Sequence, residues 1–490
     1  METAARRHKK VNASRGHEYP YRYERTASAA EIAERFAALE PGSESDVEVS
    51  VAGRIRTIRP HGKLAFADLE DGTGRVQLFA QAVVLGQEAM TEFLRLGVGD
   101  IVGAEGVVMK TRRGELSVKL TRATLLAKCL RSMPEKWHGM TDVESRHRQR
   151  YLDLIVNPKA RRTVEARAAT NAAVRRYLGG RGFIEVETPL LQPIPGGARA
   201  RPFATHHNAL DIDLYLRIAP ELYLKRLLIG GLERVYELNR SFRNEGVSTK
   251  YNPEFTMLEA YEAYVDYEDI MALVEELVRA IAEAVNGSTE VRIGELAVDL
   301  RAPFRRITMF EAISEATGRD IGKLWQEGDD DGLRHSAAEL GVRVEPAWPR
   351  GQVVAEIFEA TTERELVAPT FVAGYPKEVS PLAKDHRSIE GFTEHADLVM
   401  GGVELAPCYS ELNDPAEQRR RFEQQAAARA AGDEEATLPD EDFLEALAHG
   451  MPPAGGFGLG LDRLLVLLLG APSIREVILF PTLRPLRPTP

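Results

Sequence analysis

The chain has 490 residues, 44% hydrophobic and 28% charged, with 63 basic against 74 acidic side chains and a net charge of −11. That length exceeds one ordinary domain and suggests two or three, and the composition is globular rather than disordered or fibrous. The acidic total excludes a surface that grips nucleic acid throughout, though local basic patches still can; no apolar run approaches the roughly 18–20 residues of a membrane span; and two cysteines, Cys129 and Cys408, give neither a disulfide framework nor a metal cluster.

The N-terminus is polar and basic, with no apolar core of a secretory signal, so a cytoplasmic protein is expected. Residues 1–45 read as a loose basic arm (1–25, with Arg6, Arg7, Lys9 and Lys10), a helix over Ser28–Leu39 with Ile32, Phe36 and Leu39 in phase, and a Pro-Gly-Ser linker. Residues 46–132 read as β-structure. Val47, Val49 and Val51 alternate, short strands follow at 65–69 and 75–79, and a helix at 90–96 precedes two more at 101–109 and 116–123. Five strands with a helix before the fourth fit an OB-fold barrel. Phe66 and Gln77 are singled out there, because such barrels stack a base on an aromatic ring and read it with an amide; by the residues alone, Phe66 is equally a core side chain. Basic clusters at Lys110, Arg112 and Arg113, and at Arg146, His147, Arg148, Arg150, Arg161 and Arg162, read most simply as solvated faces.

Residues 133–160 form a connector, and 161–490 form the second large domain. It opens with a helix over 162–178 and a strand over Gly182–Pro189. Residues 242–264 are the most informative stretch. Arg243 is followed by Asn244 and Glu245, a break falls at Asn252-Pro253, and Phe255, Met257, Glu259 and Tyr261 then share one strand face. Such a face builds a pocket, since its polar members are costly in a plain core. Arg243 suits a phosphate, Phe255 a base, and Glu259 with Tyr261 an ammonium group; the bland alternative is a hairpin with surface charges. A long amphipathic helix is expected over Tyr267–Val285, stopped by Asn286-Gly287. Short helices over 308–365 look like a small insertion, with Asp329, Asp330 and Asp331 a solvated loop. Near the C-terminus, Gly455-Gly-Phe-Gly-Leu-Gly-Leu-Asp-Arg463 reads as a Gly-rich turn opening a buried helix, an anion site that is weak evidence alone.

The 242–264 and 455–466 segments together resemble motifs 2 and 3 of class II aminoacyl-tRNA synthetases. Tyr215-Leu-Arg-Ile-Ala-Pro-Glu221, Pro195-Gly-Gly-Ala-Arg-Ala-Arg-Pro-Phe203, Tyr375-Pro-Lys-Glu-Val-Ser-Pro-Leu-Ala-Lys384 and Gly401-Gly-Val-Glu-Leu-Ala-Pro-Cys-Tyr-Ser-Glu-Leu-Asn-Asp414 are similar to class II lysyl-tRNA synthetases of the bacterial type, from about residue 20 to the end. The resemblance implies an α+β fold, an N-terminal OB-fold followed by an antiparallel sheet flanked by helices. It implies a homodimer built on Arg162–Pro189, and substrates ATP, L-lysine and tRNA(Lys), with Mg²⁺. Residue by residue, it implies that Arg243 and Arg463 are catalytic and hold phosphate, and that Glu245, Asn252, Phe255 and Glu404 complete the ATP site. Asp397 and Glu404 would carry Mg²⁺. Gly197, Glu221, Glu259, Tyr261, Tyr409 and Glu411 would hold lysine, and Phe66 and Gln77 the anticodon. The chain departs from the family at Asp397 (usually Glu), Lys250-Tyr251 (usually Arg-His), Pro407 (often Asn) and Cys408 (usually Gly, beside the pocket). The alternative is a divergent paralogue that acts on another amino acid or acceptor, or makes dinucleoside polyphosphates.

Overall fold

A computed structural model describes residues 19–134, 140–346, 348–430 and 438–486. The chain divides into two compact units at Gly139/Met140. The Arg6–Lys10 cluster lies outside the described residues.

In the first unit, strands Glu44–His61, Leu64–Glu70, Arg75–Gln81, Ile101–Lys110 and Leu116–Ala127 close a barrel in the order 1-2-3-5-4. Alternation drives it: Val49, Val51, Ile55, Ala65, Ala67, Leu69, Val76 and Leu78 point inward and are buried. The helix Ala29–Arg35 is shorter than expected. Ser28 caps it in a reciprocal capping box with Glu31, and it ends at Phe36, before Leu39. Ala29 and Ile32 join the barrel core. The segment before it is not a loose arm where it is described. The Tyr23 hydroxyl lies 3.0 Å from Ser50 Oγ, and the Tyr23 ring fills the space over Gly103.

In the second unit, an eight-stranded sheet runs Arg305–Thr308, Thr370–Ala373, His395–Met400, Val403–Ser410, Ala454–Gly460, Glu254–Ala263, Arg234–Phe242, Ile184–Glu185. Its six inner strands are antiparallel and the outermost pair at each edge is parallel. The strand expected over 182–189 pairs only at Ile184–Glu185. One sheet face, with Leu258, Ala260, Leu398 and Phe457, packs on helices Pro158–Gly180, Tyr267–Asn286 and Leu461–Leu469. The Tyr267–Asn286 helix forms as its periodicity predicts, capped by Asp266 and stopped by Gly287 at φ 67°. The opposite sheet face is left for a site.

The insertion is a cluster of helices, Met309–Thr317, Ile321–Glu327, Asp330–Glu339 and Arg350–Thr361, around its own core of Ile313, Ile321, Leu333 and Ile357. The aspartate run is a helix start rather than a loop, with Asp329 accepting from the Gly332 N–H at 2.8 Å. The 146–150 arginines are not a solvated face either. Arg150 is buried on Asp153 at 2.6 Å and on the Leu479 carbonyl, and Arg146 joins Asp153 to Glu476. They fasten the connector helices to the C-terminal segment, so they are not free to receive RNA.

Candidate active site

The floor of the site is three adjacent strands, Val403–Ser410, Ala454–Gly460 and Glu254–Ala263, in that order across the sheet. Met257 pairs with Gly460, Glu259 with Gly458 and Tyr261 with Gly456, and Gly456 also faces Tyr409. The Gly-rich segment is therefore a buried strand, not the turn its composition suggested. Its glycines leave room for large side chains on both neighbours: a Cβ at Gly456 would lie 2.4 Å from the Tyr261 ring and from Glu411 Oε1.

Over this floor lies a cavity of about 340 Å³, lined at one end by Glu221, Glu259 and Tyr261 and at the other by Arg243, Phe255 and Arg463. Gly197, Glu245, Asn252, Glu404, Pro407 and Tyr409 complete the candidates on its wall. Gly197 has φ 87°, and its Cα faces the Glu221 and Ala219 Cβ atoms so closely that a Cβ there would meet them at 3.0 and 3.1 Å.

At the cationic end, the Arg243 guanidinium stands 5.2 Å from the Phe255 ring centroid, and its Nε, shielded from solvent, has no hydrogen-bond partner. A shielded unpaired donor is costly unless an anion completes it. Arg463, in the first turn of Leu461–Leu469, donates to the Glu404 carbonyl at 2.7 Å and lies over Tyr251. Asn252 lines the cavity, but its amide is already used. It donates to the Glu254 carbonyl at 2.6 Å and accepts from the Thr482 N–H, so it holds the turn.

At the acidic end, Glu259 is buried and accepts from the Tyr261 hydroxyl at 3.0 Å. Burial first, and the charge of Glu221 next, push the Glu259 pKa up to about 8. Glu411 does not line the cavity. It sits behind the wall, with Oε2 2.5 Å from Lys225 Nζ, and Lys225 also reaches Glu221 at 2.7 Å. The ammonium against Glu411 is thus one of the protein's own. Sequence reasoning missed Lys225, although Glu221 and Lys225 are spaced i, i+4 on one helix.

Glu404 also borders a second cavity of about 440 Å³, which Asp397 lines with Lys250 and Tyr251. Confinement and the Asp397 charge raise the Glu404 pKa. Two hard oxygen donors on the wall of one cavity, close enough for one charge to act on the other, fit Mg²⁺. No group of three or more His, Cys, Asp or Glu among the described residues could hold a metal by itself, so further ligands would come from phosphate and water. Asp397 has unforeseen partners: His395 Nε2 at 2.6 Å, and the Tyr375 hydroxyl. Asp462 was also missed. It accepts from the Thr256 N–H at 2.7 Å and from Arg167, which locks the turn carrying Arg463 to the strand carrying Phe255.

Of the departures, Lys250, Tyr251 and Pro407 line the cavity and Cys408 does not. Alternation sends Cys408 to the helical core, where it is fully buried, so it does not reshape the pocket. In the barrel, Phe66 is off the core. It stacks on Phe79 at 4.9 Å on the outer face, beside the pair Asp68–Gln77, and Gln77 accepts from Ser117 at 3.0 Å.

Residues 142–484 match the family of tRNA synthetases class II (D, K and N), and residues 49–126 match the OB-fold nucleic acid binding domain. The chain is 54% identical to a lysine–tRNA ligase of Moorella thermoacetica, over 94% of this chain and 93% of that protein. It is 51% identical to that of Syntrophomonas wolfei (95% and 92%) and 51% identical to that of Carboxydothermus hydrogenoformans (95% and 94%).

Proposed function

The chain belongs to the class II tRNA synthetases of the D, K and N group, and from that premise we propose that it is a lysine–tRNA ligase. It joins L-lysine to ATP as lysyl-adenylate with release of pyrophosphate, then passes lysine to the 3′ end of tRNA(Lys) in the cytoplasm. The observation that carries this is one cavity with an acidic end, Glu221, Glu259 and Tyr261, facing a cationic end, Arg243, Phe255 and Arg463.

Both reactants of the first step are anions at the reacting atoms, a carboxylate and the α-phosphate. The work is charge neutralisation and alignment, with no side-chain nucleophile. Phe255 and Glu245 receive adenine, by stacking and by accepting from its amine. Arg243 bridges the lysine carboxylate and the α-phosphate, so it is charged where negative charge gathers in the transition state. Arg463 holds the outer phosphates or the second adenine face, and Asn252 shapes the loop over them. Glu221 takes the α-amino group of lysine, Glu259 and Tyr261 take the ε-ammonium, and Tyr409 packs along the aliphatic stem. Mg²⁺, when held by Asp397 and Glu404, supplies neutralisation of the phosphate oxygens.

Pyrophosphate exchange measured with all twenty amino acids is expected to favour lysine. Equal rates with arginine would sink the pocket assignment. The paralogue reading draws on Lys250, Tyr251 and Pro407, which stand on the cavity wall. Activation of a β- or branched amino acid above L-lysine decides for it. Aspartate is disfavoured, because the side-chain end of the pocket offers its carboxylate Glu259 and Tyr261 in place of a cation.

For tRNA, we propose that Phe66 and Gln77 read the anticodon. Phe66→Ala is expected to weaken tRNA charging by about 1–3 kcal/mol, one base–aromatic stack, with lysine-dependent exchange intact. Equal loss in both assays would make Phe66 a fold residue. We also propose a homodimer through Arg162–Pro189, which spans most of the helix Pro158–Gly180 and the edge strand Ile184–Glu185. The helix's apolar side does not argue for it, since Ala173, Val174 and Leu178 are already in the chain's own core. Exposed Ile184, Leu190 and Leu191 beside the sheet edge do. Light scattering at micromolar concentration should give twice the chain mass; a fully active monomer would refute it.

A further inference from the structure

His395 and Asp397 stand two residues apart on the strand His395–Met400, so their side chains share one face of it. Across the ladder, Tyr409 stands opposite His395 and Pro407 opposite Asp397. Tyr409 and Pro407 line the first cavity, Asp397 lines the second, and His395 is buried and lines neither. Its ring packs on two others, with its centroid 3.9 Å from that of Tyr375 and 4.5 Å from that of Tyr409.

Both ring nitrogens are used. Nδ1 lies 2.7 Å from Ser380 Oγ, and Nε2 lies 2.6 Å from Asp397 Oδ1. An ionised carboxylate only accepts, so these partners assign a proton to Nε2. The Tyr375 hydroxyl bonds the same carboxylate. The bond from His395 to Asp397 joins residues two apart on one strand, so it ties no distant parts of the chain together. What it fixes is direction. The last torsion of an aspartate side chain is broad by nature; a donor at Oδ1 settles it and so aims Oδ2. On the reading of Asp397 and Glu404 as the Mg²⁺ ligands, we propose that His395 is a positioning residue for the metal, seated by Ser380 and assisted by the Tyr375 hydroxyl. It keeps the Asp397 carboxylate turned to the wall that it shares with Glu404.

Removing the hydrogen-bond partner of a metal ligand typically costs about 10–100-fold in metal affinity. A histidine that only filled the space between two tyrosines would act on the fold, or on the lysine end through Tyr409, and would be blind to the metal. His395→Phe separates these roles, because it keeps a ring between Tyr375 and Tyr409 and removes both nitrogens.

The test is calorimetric titration of α,β-methylene-ATP into wild type and His395→Phe, once with Mg²⁺ and once with EDTA. Wild type should bind this analogue more tightly with Mg²⁺. In the variant, the ratio of the two dissociation constants should move toward unity by about 10-fold, while the metal-free constant stays within about 2-fold. In an Asp397→Asn background, His395→Phe should add no more than about 2-fold, since it acts through that carboxylate. Pyrophosphate exchange should follow, with more Mg²⁺ needed for the half-maximal rate and KM for lysine little changed. An unmoved ratio, a loss of equal size with and without the metal, or a rise in lysine KM alone would overturn the proposal. If His395→Phe does not fold, Tyr375→Phe removes a single hydroxyl from the same carboxylate. The ratio should then move by about 3-fold or more, the worth of one hydrogen bond, and an unmoved ratio counts against the proposal. A wild type whose affinity ignores Mg²⁺ would remove the reading of Asp397 and Glu404, and the proposal with it. A metal-dependent wild type with an unmoved variant would remove only the role of His395.

Discussion

Glu259→Gln is expected to weaken lysine binding by about 2–5 kcal/mol, the cost of removing one partner of a buried charge pair, while KM for ATP barely moves. Gln is isosteric with the protonated acid, so the empty site should fold as before and keep its contact with Tyr261. What is lost appears only when an ammonium arrives. The same group sets a pH dependence. Its pKa of about 8 in the empty pocket means that it is mostly neutral at pH 6 to 7. Lysine needs the carboxylate, so binding below pH 8 expels a proton. KM for lysine should therefore fall as pH rises from 6 to 8, by roughly 10- to 50-fold for one such group, and level off above. Isothermal titration at pH 7 in buffers of different ionisation enthalpy should show proton release. Proton uptake, or a flat KM across this range in wild type, would show that Glu259 does not meet the ammonium.

Arg243→Lys should lower the rate of adenylate formation by about 10²–10³, near 2.7–4 kcal/mol, the scale for one lost donor to transition-state charge. A lysine keeps the charge but not the planar fork, and it gives up the Arg243–Phe255 stacking at 5.2 Å. The loss should fall mainly on kcat, measured by single-turnover formation of adenylate, with lysine KM changed much less. A variant with normal kcat and a raised KM would make Arg243 an ordinary ground-state binder.

Much of this was legible in the chain because local patterns carry it. The period of two from Phe255 to Tyr261 put four side chains on one face, and the cavity uses that face. The period of 3.6 and the Asn286-Gly287 stop placed the long helix to within one residue. What the sequence hid depends on partners far along the chain. Nothing near Glu411 says that an ammonium from residue 225 covers it. The arginines at 146–150 read as a surface because, apart from the nearby Asp153, their acceptors include Glu476 and the Leu479 carbonyl, which lie some 330 residues away. The glycines at 455–460 read as a turn because a strand made of glycine makes sense only once Tyr261 and Glu411 are seen beside it. Cys408 was misplaced for a simpler reason: adjacent residues on a strand face opposite ways, and Pro407 had taken the pocket side.

Gly197 decides how this pocket can answer an inhibitor. Its φ of 87° and the two Cβ atoms that a side chain would meet at 3.0 and 3.1 Å leave no residue but glycine there without strain. A compound that rests on the Gly197 backbone leans on a wall that point mutation cannot rebuild, whereas one that depends on Lys250, Tyr251 or Pro407 leans on positions where substitution is open, and resistance should arise there first.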